Sequence, residues 1–203
     1  MKNILPLLSI FILIGCKKNL NSNLIYEGEK HFKNVKQITF GGDNAEAYWS
    51  FDNKNLVFQS NYNEWGVECD QMFLMSVDES FELNTPKMLS TGDGRTTCSY
   101  FMPDNKHILY ASTHEDNKLC PETPLRVDGN YVWPIYDSYD IYISDLDGNI
   151  VNKLTNEKGY DAEATVSPKG DKIVFTSDRS GDLELYTMNI DGSDVKQITN
   201  ELG

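Results

Sequence analysis

The residue types that do catalytic chemistry are few in this chain, and their spacing does not form a catalytic pattern. A Ser-His-Asp site would have to use one of only three histidines in the 203 residues. His114-Glu115 begins like a zinc-protease motif, but Lys118 stands where the second zinc-binding histidine belongs. No serine lies in a G-x-S-x-G turn. The sequence therefore predicts a chain without catalytic residues, metal or cofactor of its own.

The charge balance excludes one class of partner. Asp and Glu number 31 against 18 Lys and Arg, which gives a formal net charge of −13. Proteins that bind nucleic acid carry a basic face, and the basic residues here do not cluster. We therefore expect no nucleic-acid partner.

The first residues, MKNILPLLSIFILIGC, have the pattern of an export signal. The apolar run from Ile4 to Ile14 is shorter than the roughly 20 residues of a membrane-spanning helix and suits a secretory signal. Its end, Leu13-Ile14-Gly15-Cys16, resembles the lipobox of bacterial lipoproteins. The resemblance implies that residues 1–15 are removed and that Cys16 is lipidated, which would attach the chain to a membrane.

The residues that follow Cys16 are polar, and we expect residues 16–34 to form a tether. In the lipoprotein sorting pattern, Lys17 in place of an aspartate implies the outer membrane of an exported protein. The alternative is an ordinary cleaved signal in which Cys16 is incidental.

Beyond the tether the sequence repeats itself. The letters VKQIT occur at Val35–Thr39 and again at Val195–Thr199. Three longer stretches align, and each has a turn followed by the apolar strand LVF, ILY or IVF. A further strand follows in each, with Phe73, Tyr142 and Tyr186 in register. Each repeat thus predicts four short antiparallel strands, and a period near 44 residues is typical of a propeller blade.

The third repeat, LTNEKGYDAEATVSPKGDKIVFTSDRSGDLELYTMNIDGSDVKQIT, closely resembles the blade signature of the TolB-like β-propeller family. The resemblance implies an all-β propeller of four-stranded antiparallel blades. Weaker matches extend it over residues 35–203. The predicted blades span about 35–87, 88–152 and 153–203. VKQIT is then the outermost strand of a blade in both of its copies.

Three blades are fewer than the four to eight that close a ring. We therefore expect this chain to be the N-terminal part of a longer protein, truncated where a further blade would begin. The alternative is that several short chains assemble into one ring.

The second blade carries an insertion, residues 113–140, whose aromatic residues form a candidate binding surface. The alternative is that they cap the local core. These aromatic residues are Tyr131, Trp133, Tyr136 and Tyr139.

Export permits disulfides, and the preferred pair is Cys98 with Cys120. In the repeat register Cys98 aligns with Glu163 at the start of an inner strand, and Cys120 follows a strand that returns to the same rim. Cys69 remains a rival partner or a free thiol.

An aspartate recurs where each blade's inner strand begins, at Asp43, Asp93 and Asp161. These carboxylates are predicted to lie at the rim of the central channel, where they could bind a cation or a basic group. The alternative is that they cap turns and fix contacts between blades.

Two functions follow as hypotheses. The preferred one is a non-catalytic cell-envelope lipoprotein whose propeller binds a protein or a glycan. The alternative is the propeller part of a larger exported hydrolase similar to the prolyl oligopeptidase family, with its catalytic domain beyond Gly203. Fold resemblance alone does not decide between them.

Overall fold

The structure is a computed structural model that describes residues 24–76, 85–125, 127–130 and 132–201. The signal segment, Cys16 and the first part of the tether lie outside these ranges. The chain divides into two compact units, Met1–Gln37 and Ile38–Gly203. In the first unit, the described residues contain a turn closed by the Glu29 amide, which donates to the Tyr26 carbonyl at 3.1 Å. Within the described ranges, no helix has the length and apolarity needed to cross a membrane.

The second unit is built from three four-stranded antiparallel blades, as the repeats predict. The strands of the first blade are β1 (Asn44–Trp49), β2 (Asn55–Ser60), β3 (Gln71–Ser76) and β4 (Lys87–Met88). Those of the second are β5 (Thr96–Phe101), β6 (His107–Ser112), β7 (Ser138–Asp145) and β8 (Ile150–Lys153). Those of the third are β9 (Gly159–Val166), β10 (Lys172–Ser177), β11 (Glu184–Asn189) and β12 (Lys196–Gln197). A short 3-10 helix, Asn63–Trp65, lies between β2 and β3.

Each blade holds one pair of aromatic residues in the same geometry. Phe58 and Phe73 face each other across β2 and β3, with ring centroids 6.1 Å apart. The equivalent pairs are Tyr110 with Tyr142 at 6.2 Å and Phe175 with Tyr186 at 5.8 Å. The interplanar angles are 32°, 32° and 33°. Directly opposed aromatic rings stabilise antiparallel pairs, and their recurrence confirms the register that the sequence predicts.

The first two strands of each blade are joined by a tight turn that requires a left-handed residue. Asn53, Asn105 and Gly170 occupy this position, with φ of 58°, 56° and 74°. Glycine has no Cβ to clash there, and asparagine is the side-chain residue that tolerates this conformation best. The two blades with asparagine therefore form the same turn as the blade with glycine.

Neighbouring blades pack face to face through separate apolar clusters. Between the first and second blades lie seven buried residues that include Val57, Met72 and Phe101. Between the second and third blades lies a larger cluster that includes Leu109, Ile173 and Phe175. A fully buried side chain of this size contributes about 1.5–3 kcal/mol, so the contacts between blades are a major source of stability.

The second and third blades are also joined by hydrogen bonds. The start of β7 extends past its own blade and pairs in parallel with β9, Ser138 against Gly159 and Tyr139 against Tyr160. The insertion therefore leads directly into a strand that contacts the inner strand of the next blade.

The two copies of VKQIT have different structures. In the second copy, Lys196–Gln197 forms β12 and pairs with Tyr186 and Thr187 of β11, as predicted for an outermost strand. The structure assigns no strand to the first copy, Val35–Thr39, so that part of the prediction is wrong. Ile38 instead packs against the apolar cluster on the first blade that contains Phe58 and Phe73.

Candidate functional site

The innermost strand of each blade has a β-bulge at the same position. Glu46, Cys98 and Glu163 each adopt a left-handed conformation, with φ of 49°, 46° and 53°. The strand register shifts by one residue around each of them. A bulge re-aims the side chain of the extra residue, and these three residues come from three different blades.

The bulge residues line one cavity of about 170 Å³, which we call the inner-strand cavity. Trp133, from the insertion of the second blade, completes the cavity on one side. The full lining consists of Glu46, Tyr48, Cys98, Ser99, Trp133, Glu163, Ala164 and Thr165.

The two carboxylates in this cavity are each bound by a tyrosine hydroxyl. Tyr48 donates to Glu46 Oε2 at 3.0 Å, and Tyr160 donates to Glu163 Oε1 in a short hydrogen bond. Burial and the bond to Glu46 raise the pKa of Tyr48 to about 12. Both hydroxyls therefore stay protonated at neutral pH and keep donating to the carboxylates.

Cys98 lies between these carboxylates as a thiol. Burial raises the pKa of Cys98 to about 12, and the negative charges of Glu46 and Glu163 add to the rise. The thiolate is the reactive form of cysteine, so at neutral pH Cys98 is not an activated nucleophile.

A second cavity of about 80 Å³ adjoins the insertion, and we call it the insertion cavity. Its wall includes Trp133, which it shares with the inner-strand cavity, and Tyr136. Arg95 and Asp70, an ion pair between the first two blades, also line it. Burial raises the pKa of Asp70, although the Arg95 guanidinium opposes this rise.

A disulfide fixes the insertion to the first blade. Cys69, just before β3, is bonded to Cys120 in the insertion, with Cα atoms 6.0 Å apart. The Gly94 amide donates to the Lys118 carbonyl at 2.8 Å beside this bond. The preferred prediction, Cys98 with Cys120, is therefore wrong, and the rival partner Cys69 is the one bonded. Cys98 is a free thiol because its bulge turns it into the inner-strand cavity.

Comparison with known proteins shows what the blades are similar to. The family description "TolB beta propeller domain" matches residues 133–202. Among curated relatives, the Tol-Pal system protein TolB of Bordetella pertussis is 40% identical over 48 residues, covering 24% of this chain and 11% of the relative. An uncharacterised protein of Agrobacterium fabrum is 36% identical over 62 residues, covering 30% of this chain and 21% of the relative.

Solved structures show the same fold. The crystal structure of TolB from Acinetobacter baumannii superposes with a TM-score of 0.54 at 20% identity, over 82% of this chain and 35% of that one. The blades are those of a TolB-like β-propeller. A puromycin-hydrolysing peptidase of Mycobacterium tuberculosis also superposes, with a TM-score of 0.51 at 14% identity over 79% of this chain and 24% of that one.

The chain thus spans about a fifth or less of the length of these curated relatives and about a third or less of these solved chains. The superpositions show the TolB-like propeller fold for the described blades. Because the chain spans so little of these proteins, the activity and partners of the whole protein are matters for proposal.

The aromatic residues predicted in the insertion of this TolB-like propeller have different environments. Tyr139 is buried beside Tyr160, with ring centroids 5.5 Å apart, so it belongs to the local core. Tyr136 is half-buried and donates its hydroxyl to the Glu122 carbonyl at 3.1 Å. Trp133 is 58% exposed. Tyr131 lies outside the described residues.

The three predicted rim aspartates are not at equivalent positions. Asp161 lies opposite Ser177, and the residues in the same register are Asn44, opposite Ser60, and Thr96, opposite Ser112. Asp43, Asp93 and Asp161 thus stand at different register positions near the start of their inner strands, and their place at a channel rim stays a prediction.

Each of these aspartates has a nearby polar partner. Asp161 is buried and accepts from Arg179 at 2.8 Å. Asp93 pairs with Lys118 at 3.2 Å, and Asp43 accepts from the Asn61 side chain at 3.1 Å. None of the three lines the inner-strand cavity or the insertion cavity.

The cavity carboxylates Glu46 and Glu163 were missed from the sequence, although a signal for them exists. Ala45-Glu46-Ala47 and Ala162-Glu163-Ala164 are the same tripeptide in the first and third blades. The alignment of Cys98 with Glu163 was correct, and its extension to the first blade would have identified Glu46.

Proposed function

We propose that this chain is a non-catalytic binding scaffold of the bacterial cell envelope, attached to the outer membrane through a lipid on Cys16. Its partner is an envelope protein or a glycan, bound at the face of the propeller around Trp133. The observation that carries this proposal is the placement of Trp133, an exposed tryptophan between two cavities on an insertion of the second blade.

The surroundings of Trp133 suit recognition. Tryptophan is enriched among the residues that dominate binding energy at protein interfaces. Here the ring adjoins two carboxylates on one side and the Arg95–Asp70 ion pair on the other. The Cys69–Cys120 disulfide holds the insertion in place before a partner arrives, which reduces the entropy lost on binding.

Substitution of the exposed insertion residues tests the binding face. Trp133→Ala is expected to abolish chemical crosslinking of the chain to its partner in intact cells. Leu125→Ala is the matched control, because Leu125 is an apolar residue of the same insertion and is 89% exposed. Equal crosslinking by both variants would overturn the assignment of this face.

The lipid anchor has its own test. Cells fed a tagged fatty acid are expected to label the wild-type chain, whereas Cys16→Ser leaves it unlabelled and releases it from the membrane fraction. Labelling of the Cys16→Ser variant, or its retention in the outer membrane, would contradict the anchor.

The hydrolase hypothesis remains as a second candidate because the same propeller fold occurs in a puromycin-hydrolysing peptidase. The intact mass of the native protein distinguishes the two. A mass of about 40–50 kDa corresponds to a ring of six or seven blades and favours the scaffold. A mass greater by a further domain would favour the hydrolase.

A further inference from the structure

The inner-strand cavity contains two carboxylates, Glu46 and Glu163, that form no ion pair with a described residue. Both residues are half-buried. Among the described residues, the side-chain hydrogen bonds to these carboxylates come from tyrosine hydroxyls and engage one oxygen of each. No side-chain hydrogen bond from a described residue engages the other oxygen of either carboxylate.

A separate observation also points to a ligand in this cavity. Ser99 lines it and is 1% exposed, yet the Ser99 hydroxyl has no hydrogen-bond partner among the described residues. A buried polar group without a partner is unfavourable, and most such groups in folded proteins are satisfied by protein, water or ligand. The Ser99 hydroxyl can accept a hydrogen bond from a donor that enters the cavity.

The insertion supplies an aromatic side chain, Trp133, to the lining of the cavity. Trp133 hydrogen-bonds the Tyr160 hydroxyl, which in turn donates to Glu163, so the indole is held beside this carboxylate. Cations are attracted to the face of a tryptophan ring. Arg95, the cation on the far side of Trp133, is already paired with Asp70 and does not neutralise the cavity.

We propose that the inner-strand cavity binds the alkylammonium or guanidinium group of a lysine or arginine side chain from a partner protein. Glu46 and Glu163 supply the negative charge, Ser99 an acceptor oxygen and Trp133 the aromatic face. The cavity volume of about 170 Å³ is many times the roughly 10–15 Å³ that a cavity needs to hold one water molecule. This inference rests on the proposed binding face and specifies the chemistry that the face recognises.

Calorimetric titration of the 203-residue chain in detergent and about 150 mM salt tests this proposal, with capped pentapeptides as probes. The probes are Gly-Gly-Lys-Gly-Gly, its arginine counterpart and its acetyl-lysine counterpart. The charged peptides are expected to bind, and acetylation should abolish the binding because it removes the charge. Spermidine tests the other source of the same chemistry, a free amine. Binding of spermidine alone would overturn the assignment to a protein side chain.

Variants connect the binding to the cavity. Glu46→Gln and Glu163→Gln are each expected to weaken binding of the lysine peptide about fivefold. Glu157→Gln changes the net charge equally at an exposed site outside the cavity, so it should bind like the wild type. Ser99→Ala should weaken binding by a smaller factor. Melting temperatures no lower than that of the wild type, together with unchanged near-UV circular dichroism, establish that the variants remain folded.

Two results would overturn the proposal. One is equal affinity of the lysine and acetyl-lysine peptides, and the other is equal affinity of Glu46→Gln, Glu163→Gln and Glu157→Gln. If Trp133→Ala still abolishes crosslinking to the partner in cells, either result rejects only the proposal that the cavity binds a cationic side chain. The proposed binding face around Trp133 is then retained. If Trp133→Ala has no effect there, the proposed function itself fails.

Discussion

Cys69 and Cys120 are 51 residues apart in the sequence, and their bond joins the first blade to the insertion of the second. Their Cα atoms are 6.0 Å apart, within the usual range for a disulfide. The Thr96 amide donates to the Asp70 carbonyl at 2.9 Å next to the bond. The disulfide therefore reinforces a contact between blades that hydrogen bonds already make.

Loss of this disulfide is expected to destabilise the protein. Because the bond closes a long loop in the unfolded chain, the double variant Cys69→Ser, Cys120→Ser should lose about 2–4 kcal/mol of unfolding free energy. Urea denaturation of the oxidised wild type and the double variant measures this. Cys98→Ser is the control and should stay near the wild type. A nonreducing peptide map that links Cys98 to Cys120 would contradict the pairing.

The left-handed conformation of Cys98 predicts that a glycine variant is more stable than a valine variant. Cys98→Gly should be tolerated, because glycine adopts φ near the observed 46° without a Cβ clash. Cys98→Val should destabilise by about 1–3 kcal/mol, since a β-branched residue is strained in this region. Chemical denaturation of the pair measures the difference. A valine variant as stable as the glycine variant would mean that the bulge is absent.

Tyr110 predicts a stabilising substitution. Its hydroxyl is buried and has no hydrogen-bond partner among the described residues, whereas the equivalent residues Phe58 and Phe175 have no hydroxyl to satisfy. Tyr110→Phe should therefore raise the unfolding free energy by about 1 kcal/mol. The matched control is Tyr160→Phe, which loses the hydrogen bond to Glu163 and should be destabilised. Equal shifts of the melting temperature in the two variants would refute this.

His114 predicts a loss of stability in mild acid. Burial lowers the pKa of His114 below its ordinary value of 6.5, although the charges of Glu115, Asp93 and Asp140 partly oppose this and Lys153 adds to it. Below pH 6.5 the unfolded chain therefore binds a proton more readily than the folded chain does. Stability must fall as the pH decreases through this value.

The ring of His114 lies 4.5 Å from that of Tyr142, so His114→Phe keeps an aromatic contact and removes the titrating group. The loss of melting temperature between about pH 7.5 and 5.5 should be smaller in this variant than in the wild type. His31→Asn, at an exposed position, serves as the control. If the melting temperature of His114→Phe decreases as much as that of the wild type over this pH range, His114 is not the source of the acid sensitivity.

The blades could be predicted from the sequence because their signals are local. The aromatic pair of each blade follows from strand alternation, and the turns follow from the residues that accept a left-handed backbone, such as Asn105 and Gly170. The repeat even placed Cys98 and Glu163 in register, and both form the bulge of an inner strand. These features depend on the residue pattern within single strands and turns and on the repeat, so the sequence by itself determined them.

The tertiary structure decided which distant residues meet. The path of the insertion has no periodicity, so the sequence could not tell that Cys120 reaches Cys69 and that Trp133 closes a cavity. A bulge shifts the register of the first and third inner strands by one residue and brings Glu46 and Glu163 to the cavity, which simple strand alternation does not predict. The local sequence determines the strands and turns of each blade, whereas the packing of three inner strands against one insertion determines the site.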